Sequence, residues 1–121
     1  MPQDFKNLNI WKEAHQLVLD IYKLSGELPA DEKYALTSQL KRAIVSIELN
    51  IAEGGGKKTN KDFKSFLYQA LGSTKEVENI LLTLKDLNYI KITDYTHFNE
   101  RIDKLGGMIH KLIQTIPDNK E

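Results

Sequence analysis

Four lysines are the residues whose type and spacing best suit a chemical role, and they lie within one short segment at Lys57, Lys58, Lys61 and Lys64. Between residues 54 and 68 they are opposed by a single acid, Asp62. Ammonium groups attract phosphate, and a helix that begins in this segment would add positive partial charge. The segment therefore predicts a contact with nucleic-acid phosphates, and a loop made soluble by lysine is the alternative interpretation.

Three glycines precede these lysines, in the run Gly54-Gly55-Gly56-Lys57-Lys58-Thr59. The run is not a Walker phosphate loop, because Ile51 stands where the first glycine is required and no strand precedes it. Glycines at this position instead predict the end of a helix, where they would supply a left-handed backbone conformation.

A polar stripe follows one edge of the helix before the glycines. Its members recur at intervals of three and four residues, at Gln39, Arg42, Ser46, Asn50 and Glu53. Such a stripe is typical of a hydrogen-bond network that fixes helix register, and a binding or catalytic cluster is the alternative. The absence of histidine and of a second carboxylate from the stripe favours the structural interpretation.

Enzymatic chemistry has little support elsewhere in the chain. There is no cysteine, and the three histidines, His15, His97 and His110, form no metal-binding pair. Asp94-x-x-His97 matches half of a di-iron site, but no second copy exists, and Asp94 is better placed to stabilise a helix N-terminus. The sequence therefore predicts no catalytic residue, no metal site and no cofactor.

The elements that must position these residues are four helices, predicted over residues 9–25, 31–53, 60–88 and 94–116, with a short disordered tail at 117–121. Apolar residues repeat at alternating intervals of three and four, as in Phe63, Leu67, Ala70, Thr74 and Val77. This spacing predicts helices that cross at shallow angles, and short loops make neighbouring helices antiparallel. The expected fold is a single all-α domain, an up-down-up-down four-helix bundle. Thr59-x-x-Asp62 resembles a capping box at the start of the third helix.

Two helices have more apolar surface than one bundle requires. Residues outside the main core positions predict an interface with further copies of the chain, and they are Val45, Leu49, Ala52, Phe66, Ile80 and Leu87. A wide core face with a few exposed aliphatic residues is the alternative.

Overall charge is balanced, with 17 lysines and arginines against 17 acidic residues. The chain is therefore not a uniformly basic nucleic-acid-binding protein. It also lacks an apolar run long enough for a membrane span or a signal peptide, so a cytoplasmic location is expected.

The sequence resembles a bacterial family through several motifs. These are Phe5-x-x-Leu8-x-Ile10-Trp11, the segment from Leu28-Pro29 to the specific run Asn50-Ile51-Ala52-Glu53-Gly54, and Phe66-Leu67-x-x-Ala70-x-Gly72-Ser73-x-x-Glu76. Members of that family are named after open reading frames in intervening sequences of large-subunit ribosomal RNA genes and are often labelled as a ribosomal protein. The family is related to the accessory variability protein of diversity-generating retroelements, a basic pentameric barrel that binds nucleic acid.

The resemblance implies a four-helix bundle that assembles as a homopentamer, with a molecular activity that is not established. Together with the lysine segment, it predicts a non-enzymatic oligomer that binds structured or ribosomal RNA through a repeated basic loop. The alternative is a scaffold for a partner protein without nucleic-acid binding. The neutral charge of this chain departs from the basic retroelement branch.

Overall fold

A computed structural model describes residues 4–28 and 34–118 of the chain. Within these ranges a short 3₁₀ helix, Phe5–Asn7, precedes four α-helices. The α-helices are α1 (Asn9–Gly26), α2 (Tyr34–Gly55), α3 (Asn60–Asp86) and α4 (Ile92–Thr115). The predicted start of the second helix at residue 31 lies outside the described residues.

The helices form an antiparallel bundle, as predicted. Helix α1 packs against α2 and α4, and α3 packs against the same two helices, so that α1 and α3 lie diagonally. The contact between α2 and α3 is the most extensive in the bundle, and that between α1 and α4 is the smallest. The lysine segment thus lies at the end of the best-packed helix pair.

The core follows the three-and-four spacing of the sequence. Every residue of the predicted α3 seam is buried, and α4 contributes Phe98, Ile102, Leu105 and Ile109. The largest side chains that are almost completely buried come from all four helices and include Leu17, Ile21, Leu40, Ile44, Ile47, Ile51, Leu67, Leu81, Leu84, Ile102, Leu105 and Ile109. Burial of each such side chain contributes about 1.5–3 kcal/mol.

Asn88, and not a glycine, supplies the left-handed residue that ends a helix. Its φ is 63°, and no described glycine has a positive φ. The amide of Tyr89 donates to the Leu84 carbonyl at 2.8 Å, and the amide of Asn88 donates to the Lys85 carbonyl at 2.9 Å. This Schellman arrangement closes α3 at Asp86, two residues before the predicted end.

The glycines at the end of α2 therefore have a different role from the predicted one. Gly54 and Gly55 still belong to α2, which continues two residues beyond its predicted end. A Cβ atom added at Gly54 would lie 2.8 Å from Cβ of Phe66 and 3.2 Å from Cδ1 of Phe63. Gly54 is required for close approach of α2 and α3, and the prediction of a left-handed glycine was wrong.

Thr59 caps α3 as predicted, because its hydroxyl oxygen accepts the amide of Asp62 at 3.1 Å. Asp94 lies in the first turn of α4, which begins two residues earlier than predicted. No described helix is both long and apolar enough to cross a membrane.

Candidate nucleic-acid interface

The four predicted lysines lie in different environments at the start of α3. Lys58 and Lys61 are exposed and form no ion pair with any described residue. Lys57 is half-buried, and its Nζ lies 5.2 Å from the centroid of the Phe66 ring. That contact holds the Lys57 ammonium against an aromatic face, while Lys58 and Lys61 are free to meet an anion.

Lys64 is already bonded to the C-terminal segment. Its Nζ donates to Oδ1 of Asp118 at 2.8 Å and to the carbonyl oxygen of Ile116 at 3.3 Å. The hydrogen bond from Lys64 and the positive charge behind it hold the pKa of the Asp118 carboxyl below its usual value. Asp118 is thus placed by a specific contact, although residues 117–121 were predicted to be disordered. Residues 119–121 lie outside the described part of the chain.

A concave surface on α3 joins two of these lysines to residues that the charge pattern did not single out. We call it the α3 groove, and its lining residues are Lys61, Lys64, Ser65, Tyr68, Gln69 and Asp118. Its volume of about 740 Å³ is within the range of small-molecule sites. The Tyr68 side chain is 57% exposed. A helix places residues at this spacing on one face, as it does Lys61, Lys64, Ser65 and Tyr68. The charge pattern alone did not identify the tyrosine, because its side chain is uncharged.

Two members of the predicted polar stripe, Gln39 and Ser46, contact α3, and a third, Asn50, is hydrogen-bonded to Ser46. Gln39 Nε2 donates to Oε2 of Glu76 at 2.7 Å, and the hydroxyls of Ser46 and Ser73 are 2.9 Å apart. Asn50 Nδ2 donates to the carbonyl and the hydroxyl oxygens of Ser46, at 2.9 and 3.2 Å. These contacts agree with the interpretation of the stripe as a network that aligns the two helices.

The side chains of Arg42 and Glu53, the other two members, are exposed and make no hydrogen bond or ion pair within the described ranges. They line a second concave surface together with Val45, Leu49 and Tyr22. Gln69 lines this surface and the α3 groove as well, so the two concave surfaces adjoin along α3.

The predicted interface residues divide into three groups. Leu49 and Leu87 are 58% and 49% exposed, while Val45, Ala52 and Phe66 are half-buried. Ile80 belongs to the core of the single chain, at 5% exposure, and so cannot line an exposed interface. Its inclusion was wrong, because its position beside the main α3 seam still faces the bundle interior. Two exposed residues of α1, Leu19 and Tyr22, were not predicted.

Side chains of α1 form polar bridges to both neighbouring helices, α2 and α4. Arg101 Nη1 donates to Oδ2 of Asp20 at 2.8 Å and lies 3.4 Å from Nε2 of His97, which makes this a bridge between α1 and α4. His15 pairs with Glu48 of α2 and stacks on Trp11, with 4.7 Å between ring centroids. No group of three histidine, aspartate or glutamate side chains in residues 4–28 and 34–118 could hold a metal ion.

An antiparallel bundle with a lysine-bearing loop between its two best-packed helices defines a small all-α protein of the four-helix-bundle class. The family model of the 23S rRNA-intervening sequence proteins matches residues 6–111, and the chain belongs to that family. The resemblance seen in the sequence motifs is thereby confirmed. No curated protein matches the chain.

A solved structure shares the fold. It is the crystal structure of a protein with unknown function from the S23 ribosomal protein family of Bacteroides thetaiotaomicron. The two chains superpose with a TM-score of 0.81 and are 24% identical, over 88% of this chain and 99% of the other. The likeness supports the fold assignment across nearly all of both proteins.

Proposed function

We propose that the protein is a non-enzymatic homo-oligomer, with five copies as the expected number, that binds structured RNA in the cytoplasm. The observation that carries the proposal is the exposure of Lys58 and Lys61 at the start of α3, where no described acid pairs with them. The name of the family, which refers to intervening sequences of 23S rRNA, suggests RNA as the nucleic acid.

The lysines, more than the helix end, supply the attraction for phosphate. The Thr59 hydroxyl already accepts one of the free amides of the first turn of α3, and Asp62 adds a negative charge there. Both reduce the partial positive charge that an uncapped helix N-terminus would present. The expected contact is therefore between ammonium groups and the RNA backbone, without recognition of sequence.

In one copy of the chain, the start of α3 offers too few exposed lysines for strong binding. Backbone affinity rises with the number of phosphates that are neutralised together, and an oligomer repeats the same lysines around its symmetry axis. The exposed apolar side chains of α1 and α2, among them Tyr22 and Leu49, provide a surface through which copies could associate. RNA binding and assembly are thus coupled in this proposal.

The test is a salt titration with a fluorescein-labelled RNA stem-loop, measured by fluorescence anisotropy. We expect the affinity of the wild-type protein to fall steeply between about 50 and 200 mM salt. The double variant Lys58→Gln and Lys61→Gln should bind more weakly, and its log-log salt dependence should be shallower by about one for each phosphate that the variant no longer neutralises.

The matched control removes the same number of charges from α4, by Lys104→Gln together with Lys111→Gln. Both of those lysines are exposed and lie on a helix that does not carry the basic loop. An equal loss of affinity in both double variants would show that only overall charge matters. If the wild-type protein shows no salt-sensitive binding, the alternative function, a scaffold for a partner protein, would be favoured.

A further inference from the structure

The α3 groove contains an aromatic ring, that of Tyr68, and a lysine, Lys64, whose ammonium already binds a carboxylate. Of the described tyrosines, Tyr22 and Tyr95 each have a lysine ammonium over the ring, at 5.2 and 4.9 Å from the centroid. No described cation or aromatic ring lies over Tyr68, which is more exposed than Tyr22. Proteins that bind single-stranded nucleic acids combine exposed aromatic rings, on which the bases stack, with cationic side chains that contact the backbone.

Lys64 defines the second part of the groove. Its ammonium is bound by the Asp118 carboxylate and by the Ile116 carbonyl, so it faces oxygen atoms at hydrogen-bond distance. Lys64 precedes Tyr68 by four residues, which places their side chains about 5–6 Å apart at Cβ on the same face of α3. Lys61 and Ser65 lie on that face as well and add a cation and a hydroxyl.

We infer that the α3 groove is a pocket for one unpaired nucleotide of an RNA, and that the Asp118 carboxylate occupies its phosphate position. The base stacks on Tyr68, the phosphate binds Lys64 and Lys61, and Gln69 and Ser65 offer hydrogen bonds to the base or sugar. This inference rests on the proposed function, because it names the part of an RNA that the protein binds beyond the uniform backbone.

In the contact between Asp118 and Lys64, a carboxylate of the chain itself occupies the phosphate position of the pocket. A carboxylate bonded to Lys64 competes with an incoming phosphate, since both anions require the same ammonium. The lowered pKa of Asp118 has the same origin, because its main cause is the hydrogen bond from Lys64. Removing the negative charge at residue 118 should therefore strengthen nucleotide binding without any change in the bundle.

The test compares two labelled RNA probes, a blunt duplex and the same duplex with a single-stranded extension of uridines. Anisotropy titrations at low salt should give a dissociation constant about tenfold lower for the extended probe with the wild-type protein. Tyr68→Ala should abolish this preference, so that the extended probe binds no more tightly than the blunt duplex. Tyr68→Phe, which keeps the ring and loses the hydroxyl, should retain the preference.

Asp118→Asn gives the second readout. We expect it to tighten binding of the extended probe several-fold, and to have a smaller effect on the blunt duplex. Both Tyr68 and Asp118 are exposed, so that circular dichroism should show an unchanged bundle in all three variants.

The outcomes separate this inference from the proposed function. Equal, salt-sensitive binding of both probes, or a preference that survives Tyr68→Ala, would overturn the nucleotide pocket while the RNA-binding function stands. An unchanged or weaker affinity in Asp118→Asn would overturn the assignment of the phosphate position. Failure of both probes to bind at low salt would overturn the proposed function and the pocket with it.

Discussion

At the scale of single residues, the contact between α2 and α3, the largest in the bundle, requires that residue 54 has no side chain. The nearest atom to an added Cβ would be Cβ of Phe66, which cannot move away without its backbone. Gly72 presents the opposite case, because an added Cβ there would meet no atom within 4 Å. Substituting alanine for these two helical glycines is therefore expected to change stability in opposite directions.

We expect Gly54→Ala to lower the free energy of unfolding by about 1–2 kcal/mol, because overpacking outweighs the gain in helix propensity. Gly72→Ala, the matched control, should raise it by up to about 1 kcal/mol. Urea unfolding followed by circular dichroism, at one protomer concentration for all variants, measures both changes. Stabilisation by Gly54→Ala would mean that α2 and α3 separate more easily than their packing indicates.

The ion pair between Asp20 and Arg101 predicts a dependence of stability on pH. The hydrogen bond from Arg101 is the main cause that holds the pKa of Asp20 below its ordinary value, and a second bond from Gln16 assists it. Since the pKa is lower in the folded protein, the pair stabilises the fold above about pH 4 and this stabilisation is lost as the pH falls through the folded pKa.

Asp20→Asn should therefore unfold more easily than the wild type at pH 7, by about 0.2–1 kcal/mol for a partly exposed pair. The difference between the two proteins should shrink as the pH is lowered below about 4. Urea unfolding of both proteins across this range gives the comparison, and the other carboxylates cancel in the difference. A gap that stays constant down to about pH 2 would contradict the role assigned to the ion pair.

At the scale of elements, the spacing of apolar residues predicted the number, order and core faces of the helices. It succeeded because burial in a bundle depends on a repeat that the sequence shows directly, as at Leu67, Val77 and Leu81. Helix ends were predicted less well, because one residue's backbone conformation decides them. Nothing in the local sequence distinguished Asn88, which adopts the left-handed conformation, from the glycines at 54–56, which do not.

The candidate site was predictable in part for a similar reason. The lysine segment is local in sequence, and charge counting found it. The pairing of Lys64 with Asp118 joins residues 54 positions apart, so only the folded chain brings them together. Tyr68 was missed because its exposure depends on how α3 is oriented in the bundle. The distribution of charged residues along the sequence does not show that orientation.

At the scale of the whole molecule, the exposed apolar residues of α1 and α2 extend the predicted interface. Val45 and Leu49 share a concave surface with Tyr22, and Leu19 lies three residues before Tyr22 on the same helix. Arg42 and Glu53 border that surface, and their charged side chains have no hydrogen-bond or ion-pair partner among the described residues. Exposed apolar side chains with unpaired charges at their edge are typical of a surface that a second protein molecule covers.

We therefore expect multi-angle light scattering to give the wild-type protein a mass near five times that of the 13.9 kDa chain. Leu49→Glu should reduce this mass toward that of a single chain, because it places a charge at the centre of the apolar surface. The side chain is 58% exposed in the isolated chain, so the bundle itself should remain folded.

Ile92→Glu is the matched control, since it introduces the same charge at a residue that is 71% exposed and lies at the start of α4, outside the proposed interface. It should leave the mass unchanged. A wild-type mass of one chain at micromolar concentration, or equal dissociation in both variants, would contradict assembly through α1 and α2. Because RNA affinity depends on repeated lysines, a dissociated Leu49→Glu protein should also bind the RNA stem-loop more weakly, although none of its lysines has changed.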